Sequence, residues 1–224
     1  MIQAIVFDFD GVLADSEPLH LRAYQEVVSA LGIMLSREDY YALYLGYDDE
    51  GVFRALAAAH AFELDESRLN ALIAEKTRVF DAIMASGDIL YPGAAACVER
   101  MASAYPLGIA SGALRHEIEL ILRGARLDRH FRFIVASGDT PEGKPAPDPY
   151  RLAAELHRVA PSECVAIEDS RWGIESAKSA GLSCVAVTNT YPREQLAGAD
   201  RIVRSLDEFT PALIESLRSK RARI

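Results

Sequence analysis

Apolar and polar positions follow two different periods along this chain, and the change of period divides it into three parts. Residues 4–9, AIVFDF, are a short β-branched and aromatic run that predicts a buried strand. From about 17 to 86 the period is three to four. LHLRAYQEVVSALG, DEGVFRALAAAHAF and ESRLNALIAEKTRVFDAIMA each place apolar residues on one helical face, and Gly32 and Gly46 fall where such helices stop. From residue 87 onward helices and strands take turns. Helices are predicted near 93–104, 114–124, 149–158 and 171–180. Strands are predicted at 107–111, 132–136, 164–168 and 183–188, followed by RIVR and a terminal helix from about 207. Such alternation predicts an α/β fold, a doubly wound parallel-sheet (Rossmann-like) core formed by 1–15 and 87–224, with an inserted α-helical block at 16–86. The basic end RSKRARI reads as a solvated helix terminus.

Composition narrows the partners more than the fold. The 224 residues are 50% hydrophobic with a formal net charge of −9, which disfavours nucleic acid or an anionic membrane as a partner. A small anionic ligand is still compatible, because a site can be locally positive. No apolar stretch approaches the ~18 residues of a membrane span. Cys97, Cys164 and Cys184 lack C-x-x-C spacing and read as packing residues of a reducing compartment. The start of the chain runs into a strand without a signal-like segment, so a cytoplasmic protein is the expectation; oligomeric state is left open by the sequence, with a monomer favoured.

The candidate chemistry lies at the strand ends, where open parallel sheets bind ligands. After the first strand come Asp8, Asp10 and Gly11. Ser111 and Gly112 follow the second. GDTPEGKPAPDPY, with Lys144, follows the third, and Glu168, Asp169 and Ser170 follow the fourth. Each has a plain explanation alone: Asp148 before Pro149 reads as a helix cap, Asp169–Ser170 as another, Ser111–Gly112 as a loop and Lys144 as a solvated charge. Their convergence on one edge is what needs explaining. Clustered carboxylates with one lysine raise each other's pKa or require a cation. An all-oxygen donor set suits Mg²⁺, and there is no His/Cys cluster for zinc. Mg²⁺, Lys144, Ser111 and the amides near Gly11 and Gly112 would surround a phosphoryl group. Of Asp8 and Asp10, which the pleat of a strand would point to one side, one can attack phosphorus while the other handles the proton.

DFDGVLADSE, Ser111 at a strand end, Lys144 in GKPAPDPY and Glu168–Asp169–Ser170 together resemble the four motifs of the haloacid dehalogenase superfamily. The likeness is to the branch containing β-phosphoglucomutase and phosphoglycolate phosphatase, and it spans essentially the whole chain. It implies that Asp8 is the nucleophile and Asp10 the acid/base. It implies Mg²⁺ held by Asp8, the Asp10 carbonyl and Asp169 with Glu168 nearby, and a phosphoryl group bound by Ser111, Gly112 and Lys144. The dehalogenase branch lacks the second aspartate, so Asp10 argues for phosphoryl transfer. The block at 16–86 resembles the family's helical cap, which closes over the site.

Within that cap His20, Tyr47, Asp48, Asp49 and Arg54 are the substrate candidates, while Tyr40, Tyr41, Tyr44 and Tyr47 read as part core and part surface. The mutase cap loop carries basic residues for a distal phosphate. Here Leu45, Asp48, Asp49 and Glu50 stand there, with Arg54 one turn on. The expectation is therefore a Mg²⁺-dependent phosphatase acting on a small phosphorylated metabolite through an aspartyl-phosphate. A phosphosugar mutase is the alternative. A non-turnover phospho-accepting module of the response-regulator kind is the alternative from another class, and the cap and Asp10 speak against it.

Overall fold

The computed structural model describes residues 1–45, 47–84 and 89–221. The Gly46 helix stop and the boundary expected at 86/87 lie outside the described residues. The chain divides into two compact units, Met1–Asp15 with Ile89–Ile224, and Ser16–Asp88.

The first unit is a six-stranded parallel sheet with strand order β3-β2-β1-β4-β5-β6. Its strands are β1 (Ala4–Phe7), β2 (Leu107–Ala110), β3 (Phe131–Val135), β4 (Cys164–Glu168), β5 (Ser183–Val187) and β6 (Arg201–Val203). The helices α5 (Ala94–Ala102), α6 (Arg115–Gly124), α7 (Asp148–His157), α8 (Arg171–Ser179) and α9 (Pro211–Arg221) alternate with them. Every residue of β1, β2, β4 and β5 is buried, as expected of strands covered on both faces. Cys97, Cys164 and Cys184 are buried free thiols within this packing.

The order of the strands decides where a ligand can sit. The chain runs outward from β1 to β2 and β3, then returns to the other side of β1 with β4. The switch point lies between β1 and β4, where a doubly wound sheet opens a crevice beyond its carboxyl ends. Phe7 pairs with Ile167, so the next residues, Asp8 and Glu168, emerge side by side.

Two local readings differ from the sequence pattern. β1 ends at Phe7, so Asp10 is not on the strand and the pleat rule does not set its direction. It lies in a tight turn in which the Phe9 carbonyl accepts from Val12, Leu13 and Ala14 N–H. Asp148 is the first residue of α7 rather than its cap, because Pro147 occupies the cap position. Ser170 does cap α8, accepting from the Gly173 amide at 3.1 Å.

The second unit is helical. Its main helices are α1 (Glu17–Ser29), α3 (Asp49–His60) and α4 (Glu66–Met84), with the single turn α2 (Arg37–Asp39) running into a wider turn over Tyr40–Tyr44. Tyr40 and Tyr44 are buried and Tyr47 is exposed. Among the described residues no helix is long and apolar enough to cross a membrane.

At the centre of this unit lies an ionic group joining three helices. Lys76, only 2% exposed, sits 2.8 Å from Asp49 and 2.9 Å from His20 Nδ1. Tyr24 donates its hydroxyl to Asp49 at 2.5 Å. Asp49→Ala would leave the Lys76 ammonium buried without its carboxylate, and we expect it to cost roughly 2–4 kcal/mol. Asp49→Asn, which keeps both hydrogen bonds, should cost less. Thermal melts of the two variants check the order, and equal melting temperatures would contradict it.

Candidate active site

Asp8 follows the last residue of β1. Its amide donates to the Ile167 carbonyl at 2.9 Å, and its Oδ1 accepts from the Phe9 amide at 2.7 Å. Lys144 reaches the same carboxylate at 2.9 Å and Glu168 Oε1 at 2.6 Å. Asp8, Glu168 and Asp169 each bring a carboxylate oxygen within 4.8 Å of the others, and all three are buried. Three of the four strand ends read from the sequence therefore meet around one small volume. Ser111 is buried at the end of β2, the neighbour of β1, with its Oγ accepting from the Ala113 amide at 3.2 Å. That bond leaves the hydroxyl proton available for donation.

The electrostatics are those of a site short of positive charge. Burial, opposed by Lys144 and reinforced by Glu168 and Asp10, pushes Asp8 up to about 7. Burial and then Asp8 and Glu168 push Asp169 to about 7 as well. Burial pulls Lys144 down, but Asp8 and Glu168 outweigh it and hold the ammonium charged. One ammonium against three buried carboxylates is the situation that a hard divalent cation resolves, and the donors are all oxygen.

Backbone shape enforces the closeness. Gly11 has φ +76°, and a Cβ there would fall 1.9 Å from Asp169 Oδ2, so no side chain fits between the β1 turn and Asp169. Gly173 plays the same part beneath Glu168, where a Cβ would lie 1.9 Å from the carboxylate carbon. Gly173→Ala should displace Glu168, lower turnover by about 100-fold or more and cost about 1–3 kcal/mol. Wild-type kinetics in a folded Gly173→Ala protein would contradict the need for that closeness.

Further residues belong to this edge that the sequence reading did not single out. Tyr150 of α7 donates its hydroxyl to Glu168 Oε1 at 2.6 Å. Asn189, in the loop after β5, donates to the Gly11 carbonyl at 2.9 Å, and Thr190 hydrogen-bonds Asp169. The strand-end rule that found Ser111 would have found Asn189 and Thr190 had it been applied to β5.

In the helical unit, Asp48 caps α3, accepting from the Gly51 amide at 2.8 Å. Asp49 pairs with Lys76 as described. Arg54 is shared between Glu50 and Glu66, each at 2.7 Å. The acidic loop is thus largely compensated within its own unit, and so is Arg54, the candidate for a second phosphate. His20 stacks on Phe80 at 4.2 Å, and burial together with Lys76 pushes it down to about 3. A lysine ammonium only donates, so His20 Nδ1 accepts and the ring proton is on Nε2.

Residues 2–181 match the family model for haloacid dehalogenase-like hydrolases. The chain belongs to that family. Protein CbbY of Cereibacter sphaeroides is 36% identical, over 93% of this chain and 94% of its own length. Fructose-1-phosphate phosphatase YqaB of Escherichia coli is 29% identical over 82% of this chain and 95% of its own. β-Phosphoglucomutase of Bacillus subtilis is 28% identical over 95% and 94%. A crystal structure of CbbY from Rhodobacter sphaeroides, as an aspartate-to-asparagine variant bound to xylulose 1,5-bisphosphate, superposes with a TM-score of 0.78. Its identity is 33%, over 93% of this chain and 96% of that one. The chain is therefore an enzyme of a hydrolase family that includes sugar-phosphate phosphatases, and the nearly equal identities to a phosphatase and a mutase do not divide those two activities.

Proposed function

We propose that the protein is a Mg²⁺-dependent phosphatase that hydrolyses a small sugar-phosphate-type monoester through an aspartyl-phosphate on Asp8. The observation that carries this reading is Asp8 itself: a buried carboxylate at the switch point, flanked by Lys144 and by two further carboxylates. Asp8, Asp169 and the Asp10 main chain, with Glu168 beside them, are the residues that would hold the cation. When bound, it would supply charge neutralisation to the phosphoryl oxygens. Lys144, the Ser111 hydroxyl and the amide of Gly112 bind and orient that group. Asp8 attacks phosphorus. Asp10 gives a proton to the leaving oxygen and then takes one from the water that cleaves the acyl-phosphate. Two carboxylates with these separate duties explain why a second aspartate stands two residues from the first.

Hydrolysis is preferred to mutase activity because of the helical unit. Retaining a bisphosphate requires a cation for the distal phosphate, and here Lys76 is paired with Asp49 and Arg54 with Glu50 and Glu66. The test is a panel of phosphate esters assayed with Mg²⁺ for phosphate release. It should contain fructose 1-phosphate, phosphoglycolate, xylulose 1,5-bisphosphate, and β-glucose 1-phosphate with catalytic glucose 1,6-bisphosphate. At least one ester should be hydrolysed with a kcat/KM above about 10⁴ M⁻¹s⁻¹, and the last mixture should yield little glucose 6-phosphate. Sustained glucose 6-phosphate formation well above phosphate release would overturn the preference. No release from any ester would overturn the reading.

A further inference from the structure

We propose that Tyr150 is a positioning residue for the phosphoryl site, fixing the Lys144 ammonium through Glu168; this rests on the phosphatase reading above. Tyr150 is fully buried in the core cluster that α7 packs against the sheet. A phenylalanine would fill that space equally well. A buried hydroxyl is tolerated only when it has a partner, and here the partner is a carboxylate at the centre of the site.

Glu168 is 0% exposed and its bonds are divided between its two oxygens. Oε2 faces the Asp169 amide at 3.2 Å, the Ser170 amide at 3.4 Å and the Ser170 hydroxyl at 3.3 Å. Oε1 accepts from Tyr150 and from Lys144, both at 2.6 Å. Held at both ends, the carboxylate cannot rotate toward Asp8. The ring of the same tyrosine lies 5.0 Å from Lys144 Nζ, within the range of a cation–π contact. Tyr150 therefore touches Lys144 with its face and Lys144's carboxylate partner with its hydroxyl. Asp8 and Glu168 take two of the three ammonium N–H bonds, and the direction of the third is then fixed for a phosphoryl oxygen. Pre-set direction of this kind is what makes a charged donor effective in a site closed to water.

The experiment uses the full chain with Mg²⁺. Tyr150→Phe deletes one oxygen and keeps the ring. Ile118→Ala, in α6 and outside the site, is a control for general loss of stability. Orthophosphate is the probe, read both as a competitive inhibitor and by calorimetric binding. Tyr150→Phe should weaken orthophosphate about tenfold and lower kcat/KM by a similar factor, the size of one lost hydrogen bond to a charged group. Ile118→Ala should lower the melting temperature with both values unchanged. In a Glu168→Ala background the effect of Tyr150→Phe should shrink to less than about twofold, because the acceptor through which it acts is gone.

Tyr150→Phe with wild-type orthophosphate binding and kcat/KM overturns the proposal, whatever its melting temperature. Full additivity with Glu168→Ala overturns it as well. A wild type that binds orthophosphate but hydrolyses no ester would sink the phosphatase reading alone, and the tenfold calorimetric loss would still support the role of Tyr150. A wild type that does not bind orthophosphate overturns both.

Discussion

Asp8→Asn should reduce phosphate release from the best ester by at least about 10⁴-fold while leaving the protein folded. The amide nitrogen has no lone pair available to attack phosphorus, and the substitution is nearly isosteric. Stability should not suffer, for a reason visible in the site. The Asp8 carboxylate is buried beside Glu168 and pushed up to about 7, so its charge is held at a cost. Lys144 keeps Glu168 as a partner at 2.6 Å when that charge is removed. The melting temperature should therefore stay level or rise. Residual turnover above about one per cent of wild type would place the nucleophile elsewhere.

Withdrawal of the cation should have the next largest effect, about 10³-fold or more in kcat, fully restored by Mg²⁺. It should also leave a thermodynamic mark that needs no substrate. In the fold, burial first and then their mutual repulsion with Glu168 push Asp8 and Asp169 up from the usual 3.8 to about 7. Between those values the native state holds protons that the unfolded chain has lost. The stability these two groups contribute is therefore present at low pH and lost as pH rises through that window. A divalent cation binds the deprotonated carboxylates and reverses the loss. Added Mg²⁺ should raise the melting temperature more at about pH 8 than at about pH 5, where it competes with protons. An equal shift at both values would argue that the cation does not bind this cluster.

The part of the site that was legible in the sequence is the part carried by strand ends. Asp8, Ser111, Glu168 and Asp169 each follow an apolar run, and a parallel sheet brings the ends of such runs to one edge. Lys144 was readable from GKPAPDPY, but Tyr150 at the end of the same motif was not, because a tyrosine three residues into a helix looks like any core aromatic. What distinguishes it is a hydroxyl aimed at Glu168, 18 residues away. The turn holding Asp10 escaped because AIVFDF reads as one strand, whereas the ladder stops at Phe7 and the next residues fold back on the Phe9 carbonyl. The helical unit was legible as helices but not as electrostatics. Asp48, Asp49 and Glu50 look like a repulsive loop in sequence. Lys76, which answers Asp49 from another helix, lies 27 positions further on, and no local pattern connects the two.

The most direct test of an aspartyl-phosphate mechanism is to catch the intermediate. Asp10→Asn should slow the cleavage of the acyl-phosphate by water more than it prevents its formation, since both steps lose their proton carrier but only the second requires water to be deprotonated. The variant is incubated with the best ester and Mg²⁺, quenched in acid and digested for mass spectrometry. The expected result is a single phosphoryl group on the peptide containing Asp8, discharged by hydroxylamine. A phosphoryl group on any other residue, or ester turnover by the wild type with no acyl-phosphate in either protein, would contradict it.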